Sequence, residues 1–291
     1  MKLLKQIGHS IGWRIVHYYY VIRDIARSRY AQARVAWDWR FGVNPRPHNL
    51  PAQLVVSLTS YPPRFPDLAL TLRSLLRQTV KADHTILWIA PEDMALLPKE
   101  VTDLKTAGLE IRAAENTKSY KKILPALDAF PDAFIVTADD EVYYRPTWLE
   151  DLVKGYNPAE PIVTCHRANK ITLDTQSRFQ LYKNWLLDIR EREKSKLIFP
   201  TGVGGVLYPP GILKHTPEDR AAALSLCPHG DDIWLYWIGR RNGATYKTVG
   251  YWREVLTWRG SQDQGLWFSN VLQGGNDEQI QKIAEKYGFP A

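Results

Sequence analysis

Phe134-Ile135-Val136-Thr137-Ala138-Asp139-Asp140-Glu141 is the stretch on which the fold turns. An apolar run that stops abruptly at three carboxylates reads as a buried strand over 133–137 whose carboxyl end opens onto a ligand. Upstream, short apolar runs over 54–58, 85–89 and 110–112 alternate with helical patterns over 67–78, 98–106 and 120–130. That alternation predicts βαβ units, and hence an α/β fold with a mixed, mainly parallel, Rossmann-like sheet flanked by helices. Because such sheets bind ligands beyond their strand ends, two loops matter most: Thr59 to Arg64 after the first strand, and Ala138 to Glu141 after the fourth.

The chain has 291 residues, of which 45% are hydrophobic and 24% charged, enough for a sizeable core and unlike a disordered or fibrous protein. Its two cysteines, Cys165 and Cys227, lack CxxC spacing, which argues against a disulfide scaffold or a structural zinc site. No stretch reaches the apolar length of a membrane span, and no cleavable leader is evident, so the expectation is a chain neither spanning nor secreted.

The formal charge of +7 is unevenly placed. Residues 1–50 carry nine Lys/Arg against two acids, so they hold the whole excess and leave 51–291 balanced. Within that segment Leu4, Ile7, Ile11, Ile15, Tyr18, Ile22 and Ile25 recur at helical spacing, with Lys2, Lys5, His9, Arg23 and Arg27 opposite. A basic amphipathic helix with Trp13 and Tyr18 to Tyr20 at its boundary suits the headgroup layer of an anionic membrane. The alternative is a stripe that docks on the domain. Asn44-Pro45-Arg46-Pro47 then breaks the helix, giving two parts: a basic helical segment, 1–50, and a globular domain, 51–291.

Three carboxylates at the end of a buried strand repel one another unless a cation neutralises them. Hard oxygen ligands in a short loop suit Mg²⁺ or Mn²⁺, which keep positions open for substrate phosphates. The bland reading is a solvated acidic turn. Lys118, Lys121 and Lys122 stand just upstream, either as phosphate contacts or as an exposed helix face.

Five segments in order, Val56 to Pro62, Lys118 to Lys122, Thr137 to Glu141, Thr201 to Pro210 and Asp231 to Trp234, make the chain resemble the GT-A class of nucleotide-sugar glycosyltransferases. The likeness is to the family 2-like bacterial enzymes of capsule and lipopolysaccharide assembly, and spans roughly 53–283. It implies that Asp139 and Glu141, with Asp140 between them, match the metal-binding Asp-x-Asp motif, with Glu in place of the final Asp. Mn²⁺ or Mg²⁺ would there bridge the diphosphate of a UDP-sugar. It further implies that Thr59, Tyr61 and Arg64 contact the nucleotide, together with Lys118, Lys122, Asp139 and Asp140, and that Glu92 or Asp93 is a weaker uracil candidate. Asp232 aligns with the catalytic base of an inverting transfer, and Asp231 precedes it, also readable as a helix N-cap.

Gly202, Gly204 and Gly205 suit either a close sugar or tight packing. Trp234, Trp237, Trp252, Trp258 and Trp267 cluster late in the chain, as sugar platforms or as core. The family often recruits a late His to the metal. The last His here is His229, so a third ligand would have to come from Asp263 or Asp277.

The implied enzyme is peripheral on the cytoplasmic face of the inner membrane and acts on a glycan or lipid-linked acceptor, with no nucleic-acid partner. Competing readings are a nucleotidyltransferase of similar fold, disfavoured because Thr59 to Arg64 contains no glycine, and a non-catalytic membrane or nucleic-acid binder using the basic segment.

Overall fold

In the computed structural model, which describes residues 2–190, 192–250, 255–258 and 274–290 and side chains from Tyr18 onward, nine strands and eight α-helices are described. The strands are β1 (Leu54–Thr59), β2 (His84–Ile89), β3 (Leu109–Ala113), β4 (Phe134–Ala138), β5 (Ile162–Cys165), β6 (Ala168–Lys170), β7 (Ile198–Pro200), β8 (Val206–Tyr208) and β9 (Thr245–Thr248). The helices are α1 (Lys2–Phe41), α2 (Phe65–Leu75), α3 (Lys99–Thr102), α4 (Leu124–Ala129), α5 (Trp148–Gly155), α6 (Pro217–Leu226), α7 (Asp231–Arg241) and α8 (Gly275–Tyr287).

Seven strands form one sheet in the order β3-β2-β1-β4-β8-β5-β9, and β6 pairs with β7 separately. The fold is therefore the expected mixed, mainly parallel α/β sheet. Its one antiparallel member is β8, which runs against both β4 and β5. Alternation along the strands splits the core into two layers. Leu54, Val56 and Leu58 of β1, with Phe134 and Val136 of β4, face a cluster shared with α2 and α5. Val55 and Ile135 face the opposite cluster, with Tyr120 and Trp234. These strand residues are almost wholly buried, worth about 1.5 to 3 kcal/mol for each large side chain, so a one-residue slip in register would be prohibitive.

Two expected helices are shorter and broken. The 98–106 pattern becomes α3 followed by a 3₁₀ segment, Asp103–Ala107, stopped by left-handed Gly108 at φ +99°. The 120–130 pattern becomes a 3₁₀ turn, Lys118–Lys122, and then α4, because Pro125 lacks an N–H and fits only in a helix's first turn. Trp234, Trp237 and Trp258 are core residues, with under 3% of their surface exposed, so the sugar-platform reading fails for them. Trp252 and Trp267 lie outside the described residues.

α1 meets the domain through a face the sequence did not single out. Ala31 and Val35 pack on Trp258, Leu70, Tyr143 and Leu256, while Tyr18 and Ile22 of the expected stripe are exposed. The segment 44–47 after it is tied down: Arg46 bridges to Val80 and pairs with Glu150 at 2.6 Å. Among the described residues no helix is long and apolar enough to cross a membrane.

α6 carries the sharpest local start signal. Thr216 accepts from the Asp219 N–H, and the Asp219 carboxylate accepts from the Thr216 N–H, closing a capping box. The same carboxylate takes two hydrogen bonds from Arg241 of α7, at 2.8 and 3.0 Å, and one from Tyr287 of α8. The Arg241 guanidinium and these donors hold Asp219 well below the usual carboxylate range. Asp219→Ala is expected to destabilise the chain by about 2 kcal/mol in urea titrations at neutral pH, from the lost cap and the lost bidentate pair. Because the native group titrates below its ordinary value of 3.8, this stability is present above that pH and lost beneath it, so the deficit against wild type should shrink on acidification.

Candidate active site

The loops beyond β1 and β4 and the start of α7 enclose one cavity of about 1000 Å³, within the range that holds a nucleotide-sized ligand. Thr59, Tyr61, Arg64, Lys118, Lys122, Asp139, Asp140, Glu141, Asp231 and Asp232 all line it, so the residues singled out in sequence converge although 173 positions separate the first from the last. Asp93 lines it as well. Glu92 instead accepts from Asn116 at 3.2 Å.

Lys122 lies at the centre. Its ammonium is 2.7 Å from Asp139 and 3.1 Å from Asp231, joining the end of β4 to the start of α7. The surrounding carboxylates outweigh the burial cost and keep it charged, raised well above the ordinary lysine value. The backbone beneath it is fixed too: Ser57 of β1 donates to the Lys122 carbonyl, and Trp88 of β2 donates to the Ser57 hydroxyl. Lys122 is thus a buried positioning group, which excludes the exposed-helix reading. Lys118 keeps that exposure on the cavity rim, with a left-handed φ of +55° that costs a lysine energy.

The acids divide by environment. Glu141 pairs with Arg64, while Asp140 accepts from Ser60 at 2.6 Å. Burial first, and the neighbouring charge of Asp139, push Asp140 up to about 6. Asp232 accepts the Gly202 N–H with both oxygens, at 3.0 and 3.1 Å. Burial and the adjacent Asp231 raise it well above the ordinary carboxylate range, against the pull of Lys122. A carboxyl poised near neutrality in a cavity is suited to accept a proton.

Gly202 has a role the sequence left open. A Cβ there would lie 2.9 Å from Asp232 Oδ1 and 3.1 Å from Lys122 Nζ, so its missing side chain makes room for the charged pair. Gly205, at φ +92°, is pressed against the Trp148 ring. Both fit the tight-packing alternative. Asp231 is not the N-cap of α7: Gly230 occupies that position and Asp231 is the first helical residue, where the helix dipole favours its charge. Asp277 accepts the Tyr182 N–H at 2.6 Å and does not line the cavity, unlike the expected third metal ligand. Asp263 lies outside the described residues. Arg167, Tyr182, Phe199 and His229 also line the cavity. His229 stands two residues before Asp231, and that adjacency was the only sequence signal for any of the four.

Among the described residues no three His, Cys, Asp or Glu side chains form a closed metal cage. The donor set still suits Mg²⁺ or Mn²⁺, which take one or two carboxylates and complete their shell with water and phosphate. Of the two expected ligands, Asp139 is paired with Lys122 and Glu141 with Arg64, so a metal there would have to share them with those cations.

No protein-family model matches the chain, and no curated protein matches it. Among solved structures, 4-diphosphocytidyl-2C-methyl-D-erythritol synthase from Anaerococcus prevotii is similar at a TM-score of 0.45 and 14% identity, over 76% of this chain and 96% of that one.

Two substitutions separate the charges. Lys122→Met, which leaves buried carboxylates unpaired, should cost about 3 to 5 kcal/mol in denaturant titrations. Asp232→Asn should do the opposite. Asp232 is raised in the folded state, so its ionisation costs stability increasingly as pH climbs above the ordinary carboxylate value of 3.8. The variant should match wild type near that pH and melt higher than wild type at pH values above neutrality.

Proposed function

We propose that the chain is a metal-dependent glycosyltransferase of the GT-A class, moving a sugar from a UDP-type donor to a glycan or lipid-linked acceptor with inversion, in bacterial surface polysaccharide synthesis. The observation that carries this reading is the meeting of Asp139 and the adjacent Asp231 and Asp232, from two separate motifs, in one cavity, with Lys122 ion-paired to Asp139 and Asp231. That arrangement would bring a diphosphate site and a proton acceptor into a single enclosure, which is what direct sugar transfer requires.

Thr59, Tyr61 and Arg64 lie on the wall formed after β1, where a nucleotide would rest. Lys118 on the rim is placed to meet phosphate oxygens. Asp139 and Glu141 would hold Mg²⁺ or Mn²⁺, which when bound stabilises the charge developing on the departing nucleoside diphosphate. Arg64, now on Glu141, would be shared with the donor's phosphates.

Asp232 would act as general base. The Gly202 N–H fixes its carboxylate, and Lys122 with Asp231 sets its charge environment. It would take the proton from the acceptor hydroxyl as that oxygen attacks the anomeric carbon from the face opposite the leaving diphosphate. Asp140 accepts from Ser60 and helps to shape the loop.

UDP-sugar turnover with Mn²⁺ tests the reading. Asp232→Asn is expected to lower kcat by about 10² to 10⁴ with KM little changed, as for loss of a general base. Asp139→Ala should abolish both turnover and the Mn²⁺ dependence of donor binding. Since the base must be ionised and its carboxyl is raised, wild-type kcat/KM should start to fall on acidification from near neutrality, earlier than an ordinary carboxylate would dictate. Full activity in either variant, or pyrophosphate release from a nucleoside triphosphate in place of sugar transfer, would sink the assignment.

A further inference from the structure

α1 has two faces of opposite character. Ser28, Ala31, Val35 and Asp38 are buried against the domain. On the far side Tyr19, Ile22, Ala26, Tyr30, Ala33, Trp37 and Phe41 recur at steps of three and four, one continuous line along the helix, and every one is exposed. Exposure of the large members runs from 59% at Trp37 to 65% at Ile22, far beyond the isolated apolar residue of an ordinary surface. Exposed Arg29 and Arg40 lie beside this line, and the segment that contains it holds the chain's whole positive excess.

We propose that this outward face of α1 lies in the headgroup layer of an anionic lipid bilayer, with its aromatic line in the acyl boundary and Arg29 and Arg40 reaching phosphates. The mix of tyrosine and tryptophan with arginine matches a surface half apolar and half charged. A second copy of the chain is a poorer occupant, because it would bring the same exposed arginines, Arg29 and Arg40, against each other. The docked face makes the contact specific in orientation. Ala31 and Val35 pack on Trp258, whose ring N–H donates to Thr71 at 2.7 Å, and Thr71 lies 2.9 Å from the Asp140 carbonyl. A bilayer holding α1 would therefore hold the acidic loop of the cavity in fixed register beside it.

The test is co-sedimentation of the full chain with phosphatidylcholine vesicles and with vesicles that also contain phosphatidylglycerol. Association with the anionic vesicles, weakened by salt and faint with phosphatidylcholine alone, is expected. The combined variant Tyr30→Ser, Trp37→Ser and Phe41→Ser changes only exposed positions, so its melting temperature should stay at the wild-type value while its partition coefficient drops at least about tenfold. Arg29→Glu with Arg40→Glu should weaken anionic binding and leave the faint neutral binding alone. The proposal is overturned by absent vesicle binding, by undiminished binding of the triple variant, by a dimer that the triple variant dissolves without any lipid association, or by RNA binding through these arginines in place of lipid.

Discussion

A single buried ammonium organises this molecule. The Lys122 ammonium sits where β4 ends and α7 begins, and its charge pairs with Asp139 on one element and Asp231 on the other. Asp231, the buried one of the two, depends on that charge, since an unpaired buried charge costs several kcal/mol. Its carbonyl, held by Ser57, and the Ser57 hydroxyl, held by Trp88, extend the same chain of contacts to β1 and β2. The sheet and the cavity are thus linked through one residue, whose surroundings are polar on the cavity side and apolar on the other.

The charge inventory around Lys122 explains why the remaining acids behave differently from one another. Asp231 receives the helix terminus and the ammonium. Asp232, one residue on, has the Gly202 N–H, shares the ammonium only at longer range, and stays raised. Two adjacent residues of the same type thereby meet different surroundings, because a helix turns by about 100° per residue, and it is this difference on which the proposed roles of counter-charge and proton acceptor rest. Gly202 is the condition for this, since any side chain there would displace either Asp232 or Lys122.

Much of the fold was legible because parallel strands buried on both faces must be apolar throughout, and β1, β2 and β4 announce themselves as such runs. The short strands β5, β8 and β9 gave no comparable signal: three or four residues carry too little periodicity to register. The site's acids were legible from their position after a strand and before a helix. Their partners were not. The Arg64–Glu141 pair and the Lys122–Asp231 pair join residues distant in sequence, and the cavity positions of Arg167, Tyr182 and Phe199 depend on how the β6–β7 pair folds over the sheet. The thrust of α1 was half legible: helical spacing was plain, yet the buried face is built from Ala31 and Val35, small residues that carry little weight in an apolar pattern.

That choice of small residues has a physical logic. Alanine and valine let α1 lie close against Trp258 and Tyr143, whereas large aromatics would hold it away. Burying little area means that the docked contact, with Asp38 held by Arg34 beside it, stabilises the helix modestly. Among the described side chains of α1, those buried against the domain fall between Ser28 and Asp38, and further packing on its other face would stabilise the helix, because helices in water draw most of their stability from packing. The long exposed line from Tyr19 to Phe41 is the surface on which that further packing can occur. All but one of the basic residues in 1–50 sit on the same element, so one helix concentrates the features suited to placing the molecule. The balanced domain behind it is left to hold the chemistry.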